Sequence, residues 1–87
     1  MVEHPYRIEL THTAEKELRR LGRADRERLL GTIRGLAGNP RPKGCQKMTD
    51  REEYRVRAGD FRVIYAVDDK KRMLTIYRAG HRKDVYR

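Results

Sequence analysis

Apolar and polar residues alternate along the chain from Tyr54 to Ala58 and again from Phe61 to Val67. Gly59-Asp60 separates the two runs, and glycine at the first central position of a two-residue loop suits a type II′ turn. The pattern predicts a tight β-hairpin. Its register follows from the turn: Ala58 faces Phe61, Arg57 faces Arg62, Val56 faces Val63 and Tyr54 faces Tyr65. One face then carries Tyr54, Val56, Ala58, Phe61, Val63, Tyr65 and Val67, a core face. The other carries Arg55, Arg57 and Arg62.

The same alternation predicts a half-buried strand at 6–10, with Tyr6, Ile8 and Leu10 inward, and another strand at 72–79. Between 10 and 40 the period changes. Thr11 or Thr13 can cap a helix of about three turns whose stripe is Ala14, Leu18 and Leu21, ended by Gly22. A second helix starts near Ala24 or Asp25. Leu29, Ile33, Leu36 and Ala37 form its stripe, Gly31 and Gly35 allow close packing on a neighbour, and Gly38-Asn39-Pro40 stops it. The short connection makes the helices an antiparallel pair. Residues 38–52 hold prolines and glycines in a mixed-charge run and read as a surface loop. The expectation is one α+β domain over 1–87, with two N-terminal antiparallel helices packed on one face of a small, mainly antiparallel four-stranded sheet.

Charge changes the picture. Lys and Arg number 22 against 13 Asp and Glu, a formal net charge of +9. Such an excess calls for a polyanionic or acidic partner: RNA, DNA, an acidic protein or a membrane surface. Cys45 is the single cysteine, which excludes an internal disulfide and a Cys-based zinc site and suits a reducing, cytoplasmic setting. The N-terminus has no apolar signal-peptide core, and no run approaches the roughly 18 apolar residues of a membrane span.

Arg57 and Arg62, directly opposed, repel and cost stability unless an anion lies between them; the plain alternative is a solvated face with splayed side chains. The chain closes with Gly80-His81-Arg82-Lys83-Asp84-Val85-Tyr86-Arg87. His81 and Arg82 are expected to emerge near Arg62, so that hairpin face and tail form one concave site. Arginines can clamp a phosphate and stabilise added negative charge. His81 or Tyr86 can move a proton, and Tyr86 or Tyr77 can stack on a base. An RNA 2′-OH can itself attack the adjacent phosphate, with no metal or other cofactor, and no carboxylate cluster suits Mg²⁺. The plain alternative is a solvated basic tail.

Residues 6–10 followed by Ala14-Glu15-Lys16-Glu17-Leu18, Asn39-Pro40-Arg41-Pro42, the run from Tyr54 to Tyr65, and Gly80 to Tyr86 together resemble the RelE-type toxins of the RelE/ParE superfamily of toxin–antitoxin modules. The resemblance spans nearly the whole chain. It implies two helices on a mainly antiparallel sheet. It also implies a metal-independent endoribonuclease that cuts mRNA in the ribosomal A site, formed by 16S rRNA, leaving a 2′,3′-cyclic phosphate and a 5′-hydroxyl. An acidic RelB-type antitoxin would neutralise it. By this resemblance Arg62 and Arg82 match arginines that contact the scissile phosphate. Tyr86 matches the tyrosine that orients the reacting nucleotide, and His81 a basic position beside the catalytic arginine. Arg55 and Arg57 match positions held by lysines in the best-known members; with Lys47 and Lys83 they are the expected RNA- and phosphate-binding residues.

That replacement matters chemically. A buried lysine can lose its proton and act as a base, whereas arginine stays protonated. Arg55, Arg57 and Arg62 are therefore assigned electrostatic work, and proton transfer falls to His81, Tyr86, ribosomal RNA or solvent. Two rivals share the fold: a ParE-like toxin that binds DNA gyrase, and an inactive antitoxin-binding co-repressor. The His-Arg pair, with a tyrosine four residues after Arg82, favours the nuclease. His81→Ala is expected to slow cleavage more than it weakens mRNA binding, read by single-turnover cleavage beside equilibrium binding; unchanged turnover would refute a role for His81 in proton transfer.

Overall fold

The computed structural model describes residues 5–48 and 52–85. The chain runs β1 (Arg7–Leu10), α1 (His12–Arg19), α2 (Arg23–Gly38), β2 (Gln46–Lys47), β3 (Glu53–Ala58), β4 (Phe61–Asp68), β5 (Met73–His81) and α3 (Arg82–Val85). The strands form one mixed sheet in the order β1-β5-β4-β3-β2, with β1 parallel to β5 and the other pairs antiparallel.

The hairpin has the expected register, Ala58 opposite Phe61 through Tyr54 opposite Tyr65. Gly59 takes φ +61°, a region that favours glycine, while Asp60 does not, as a type II′ turn requires. A Cβ at Gly59 would lie 3.1 Å from Nη1 of Arg28, so α2 closes over the turn. Tyr54, Val56, Phe61, Val63, Tyr65 and Val67 are buried with Ala14 and Leu18 of α1, Leu29, Ile33 and Leu36 of α2, and Leu74, Ile76 and Ala79 of β5. Each large side chain so buried contributes about 1.5–3 kcal/mol. Tyr6, Ile8 and Leu10 pack against this core, as the alternation predicts.

Four details differ from expectation. The sheet has five strands, because Gln46–Lys47, inside the predicted loop, pairs with Tyr54 and Arg55. Two residues are too few to display a period, so only pairing with β3 defines that strand. The third helical stripe position, Leu21, lies beyond α1, which ends at Arg19; Gly22, with extended backbone, caps the start of α2 instead of stopping α1. Gly31 and Gly35 approach no neighbour, since a Cβ at either would meet nothing within 4 Å. Finally, β5 continues through His81 with a bulge: Ile64 pairs with Arg78 and Tyr65 with Ile76, leaving Tyr77 as the extra residue.

At that bulge β5 runs past the end of β1, and α1 takes over its outer edge. The Thr11 backbone N–H donates to Ile76 O (3.0 Å) and its hydroxyl to Tyr77 O (3.0 Å). The same hydroxyl caps α1 by accepting from Ala14 N (3.1 Å). One turn on, Glu17 Oε1 accepts from Ala79 N (3.0 Å). A carboxylate thus stands where a further strand would supply a carbonyl.

The irregular segment after α2 is pinned by Arg41. Its guanidinium donates to Tyr54 Oη (2.8 Å), Glu52 Oε1 (2.7 Å) and Asp69 Oδ2 (2.9 Å). The Tyr54 hydroxyl donates to Glu52 Oε1 (2.7 Å), the Tyr6 hydroxyl to Asp69 Oδ1 (2.6 Å), and the Tyr65 hydroxyl to Pro40 O (2.6 Å). Hydrogen bonds from Tyr54, then Arg41 and Lys47, hold the Glu52 carboxyl down at about 2, from an ordinary 4.5. Arg41, then Tyr6, lower that of Asp69. Because both are depressed in the folded state, the stability they contribute is present above about 4.5 and lost as pH falls toward 2. The difference in urea midpoint between the unsubstituted protein and Arg41→Met is expected to be largest near neutrality and to shrink through this acid window; a pH-independent difference would contradict the network.

Candidate nucleic-acid interface

Alternation about the core fixes what the opposite face of the sheet presents. Tyr54, Val56, Val63 and Tyr65 point to the helices, so Arg55, Arg57 and Arg62 point away. They line one concavity of about 220 Å³ together with Gly44 and Gln46. Gly44 takes φ +96°, which turns the loop so that β2 can join β3. Gln46, opposite Arg55 in register, accepts from Arg55 Nε through Oε1 (2.8 Å) and orients that guanidinium. Arg57 lies directly opposite Arg62. Like charges so opposed repel, and an anion bound between them relieves the repulsion.

Gly80 is opposite Arg62 on the other side, and His81 is opposite Phe61. A buried glycine beside Arg62 puts no side chain over that guanidinium. His81, sharing the side of Phe61, meets its ring edge-on at 5.7 Å between centroids. Its Nδ1 accepts from the Lys83 backbone N–H (3.3 Å). His81 therefore opens onto a second concavity, of about 570 Å³, lined also by Glu17, Arg20, Arg78 and Lys83. His81 does not join the arginines in one cleft as expected: strand parity sends Arg62 and His81 to opposite sides of the sheet end. Arg82 begins α3, exposed, and its backbone N–H donates to Asp60 O (2.8 Å), which ties the terminal helix to the hairpin turn. Tyr86 lies outside the described residues.

Lys47 is not brought to the arginines. It is opposite Tyr54 and its ammonium pairs with Glu52 Oε2 at 3.3 Å. Tyr77, exposed at the bulge, lines another depression of about 620 Å³ whose rim carries Glu52, Glu53, Asp68 and Asp69. The outer sheet face thus gathers arginine side chains at the hairpin-turn end and mixed charge, with Lys70 among the carboxylates, at the other. Among the described residues no group of His, Cys, Asp and Glu could hold a metal ion, and no helix is long and apolar enough to cross a membrane. Gln46, Glu17, Arg20 and Arg78 escaped sequence reasoning. Gln46 needed the β2 pairing. The Glu17–Arg78 ion pair, with Oε2 accepting from Nε at 2.9 Å and Nη2 at 2.7 Å, links positions 61 residues apart.

The site is thus an arginine-lined sheet face opposite the one covered by two helices. A family model described as "ParE toxin of type II toxin-antitoxin system, parDE" matches residues 8–86. Toxin RelE of Mycobacterium tuberculosis (strain ATCC 25618 / H37Rv) is 33% identical over 87 residues, covering 98% of this chain and 90% of its own. A chain of the archaeal RelE-RelB complex from Pyrococcus horikoshii OT3 is similar at TM-score 0.77 and 30% identity, over 90% of this chain and 96% of that one. The isolated E. coli RelE toxin gives TM-score 0.78 at 26% identity, over 93% and 90%. The protein is a toxin of a type II toxin–antitoxin system, and it belongs to the RelE family within the RelE/ParE group.

Removing one of the opposed cations separates stability from binding. Arg57→Thr is expected to stabilise the free protein by about 0.2–1 kcal/mol at low salt. Thermal unfolding at increasing NaCl checks this: the gain should fade as salt screens the pair. Destabilisation at every salt concentration would show that the pair is not repulsive.

Proposed function

We propose that this toxin is a metal-independent endoribonuclease that cuts mRNA in the ribosomal A site and is neutralised by an acidic RelB-type antitoxin in the cytoplasm. The observation that carries the reading is the concavity formed by Arg55, Arg57 and Arg62 on the face opposite the core. The similar archaeal chain comes from a RelE-RelB complex, which supports an antitoxin of that type for this chain.

The scissile phosphate binds over Arg57 and Arg62, whose charges it brings into register. The 2′-oxygen attacks phosphorus, the 2′-O–P bond forms and the P–O5′ bond breaks. The products are a 2′,3′-cyclic phosphate and a 5′-hydroxyl. Negative charge grows on the non-bridging oxygens, and fixed guanidinium donors stabilise it there more than in the ground state. Arg82, whose backbone N–H is tied to the hairpin turn, adds a further donor in this reading. None of these guanidiniums can accept the 2′-OH proton. His81, with Nδ1 turned to the Lys83 backbone N–H, faces the other side of the sheet end from Arg62 and is not turned toward a phosphate held there. A proton leaves the 2′-OH and one reaches the departing 5′-oxygen, the latter supplied by ribosomal RNA or solvent. Tyr86, ribosomal RNA or solvent is the acceptor of the former.

The family model's ParE description supports one rival, gyrase binding without RNA cleavage. Induction in a bacterial host with mapping of new mRNA 5′ ends separates the two. Cuts inside translated codons that disappear in Arg82→Ala/Tyr86→Ala are the expected outcome. Arg62→Ala is expected to lower the cleavage rate by about 10²–10³-fold, the cost of losing one transition-state donor. Growth arrest with intact mRNA and broken DNA would assign the function to gyrase.

A further inference from the structure

The concavity that holds His81, at the outer edge of β5 between α1 and α3, has no part in the reading above. We propose that it is a second RNA subsite, holding a nucleotide that flanks the one on the arginine face; this rests on the ribonuclease reading. Its volume of about 570 Å³ falls in the range of roughly 300–1,000 Å³ typical of small-ligand sites.

Three permanent cations, Arg20, Arg78 and Lys83, face one carboxylate, Glu17. That carboxylate is already engaged. One oxygen accepts from Nε and Nη2 of Arg78, the other from Ala79 N. The ion-paired side chains are only 14% exposed for Glu17 and 28% for Arg78. Glu17 therefore holds the guanidinium in place and offers an incoming phosphate little repulsion. The imidazole of His81 is fixed from two sides, by the Lys83 N–H at Nδ1 and by the Phe61 ring. With Nδ1 filled, its remaining nitrogen presents a donor. Leu21, half-buried, supplies an apolar wall.

A carboxylate side chain from an acidic protein needs only the cations. An anchored cation, an oriented imidazole donor and an apolar wall in a space this size suit a phosphate with its sugar and base. Position also favours RNA. Gly80 lines this concavity and lies directly opposite Arg62 of the arginine face, so bare backbone is all that separates the two at that point. One single strand can pass from one to the other around the end of the sheet.

The test uses fluorescence anisotropy with uncleavable 2′-O-methyl RNA of two and six nucleotides. In the unsubstituted protein the hexamer should bind about tenfold more tightly than the dimer. Arg20→Glu should remove most of that gain and lower the salt dependence by about one to two ions, leaving dimer affinity within about twofold. Arg20→Lys should keep the gain. Equal loss at both lengths, no loss at either, or no gain with length in the unsubstituted protein would overturn the subsite. Lost affinity for an acidic antitoxin with RNA binding unchanged would overturn it too and give the concavity to a protein partner. Codon-internal mRNA cuts in cells without a length-dependent gain in vitro would remove the subsite and leave the ribonuclease reading standing. Absence of such cuts would remove both.

Discussion

A sheet with a single core must give one face to that core. With 87 residues and two main helices, this chain covers one side of the sheet only. Side chains alternate along each strand, so every buried residue of the hairpin commits its neighbour to the outer face. Val56, Val63 and Tyr65 are buried, and the alternation thereby projects Arg55, Arg57 and Arg62 outward. The functional face is what remains after the core has been satisfied. Its cations are held at fixed spacing by a rigid ladder, which is what a site that acts by charge placement requires.

That ladder is completed by a segment with little regular structure of its own. Arg41 joins the loop after α2 to Tyr54, Glu52 and Asp69, and Tyr65 holds Pro40 from within the core. Fixed there, the loop can bring Gly44 and Gln46 alongside Arg55. The Arg41 network at one end of the sheet thus organises the arginine end through the intervening loop. Arg41 is spent on architecture, and Lys47, which the sequence alone counts with the RNA-binding residues, pairs with Glu52 beside it.

The legible parts were those encoded locally. The hairpin register follows from Gly59 and from strict parity on either side of it, and it came out residue for residue. The Thr11 cap and the apolar stripes of both helices are likewise local signals. What stayed hidden depends on contacts distant in sequence. β2 exists because β3 lies beside it. The separation of His81 from Arg62 depends on the register between β4 and β5, which the bulge at Tyr77 shifts by one residue. Nothing within residues 72–79 announces that bulge. It arises where β1 ends and Thr11 takes over hydrogen bonding to β5.

The handover at β5 has a consequence for how the molecule behaves among its own copies. A strand edge with open N–H and C=O groups is a template for another strand. Beyond Leu10 the outer edge of β5 is occupied instead by the Thr11 amide and hydroxyl and by the Glu17 carboxylate. To add there, an incoming backbone would have to displace a sequestered ion pair and unseat the first helix. Edge-to-edge polymerisation at this end is thereby blocked by two helix side chains. A small, charge-dense toxin keeps its sheet from extending without lengthening the chain to cover it.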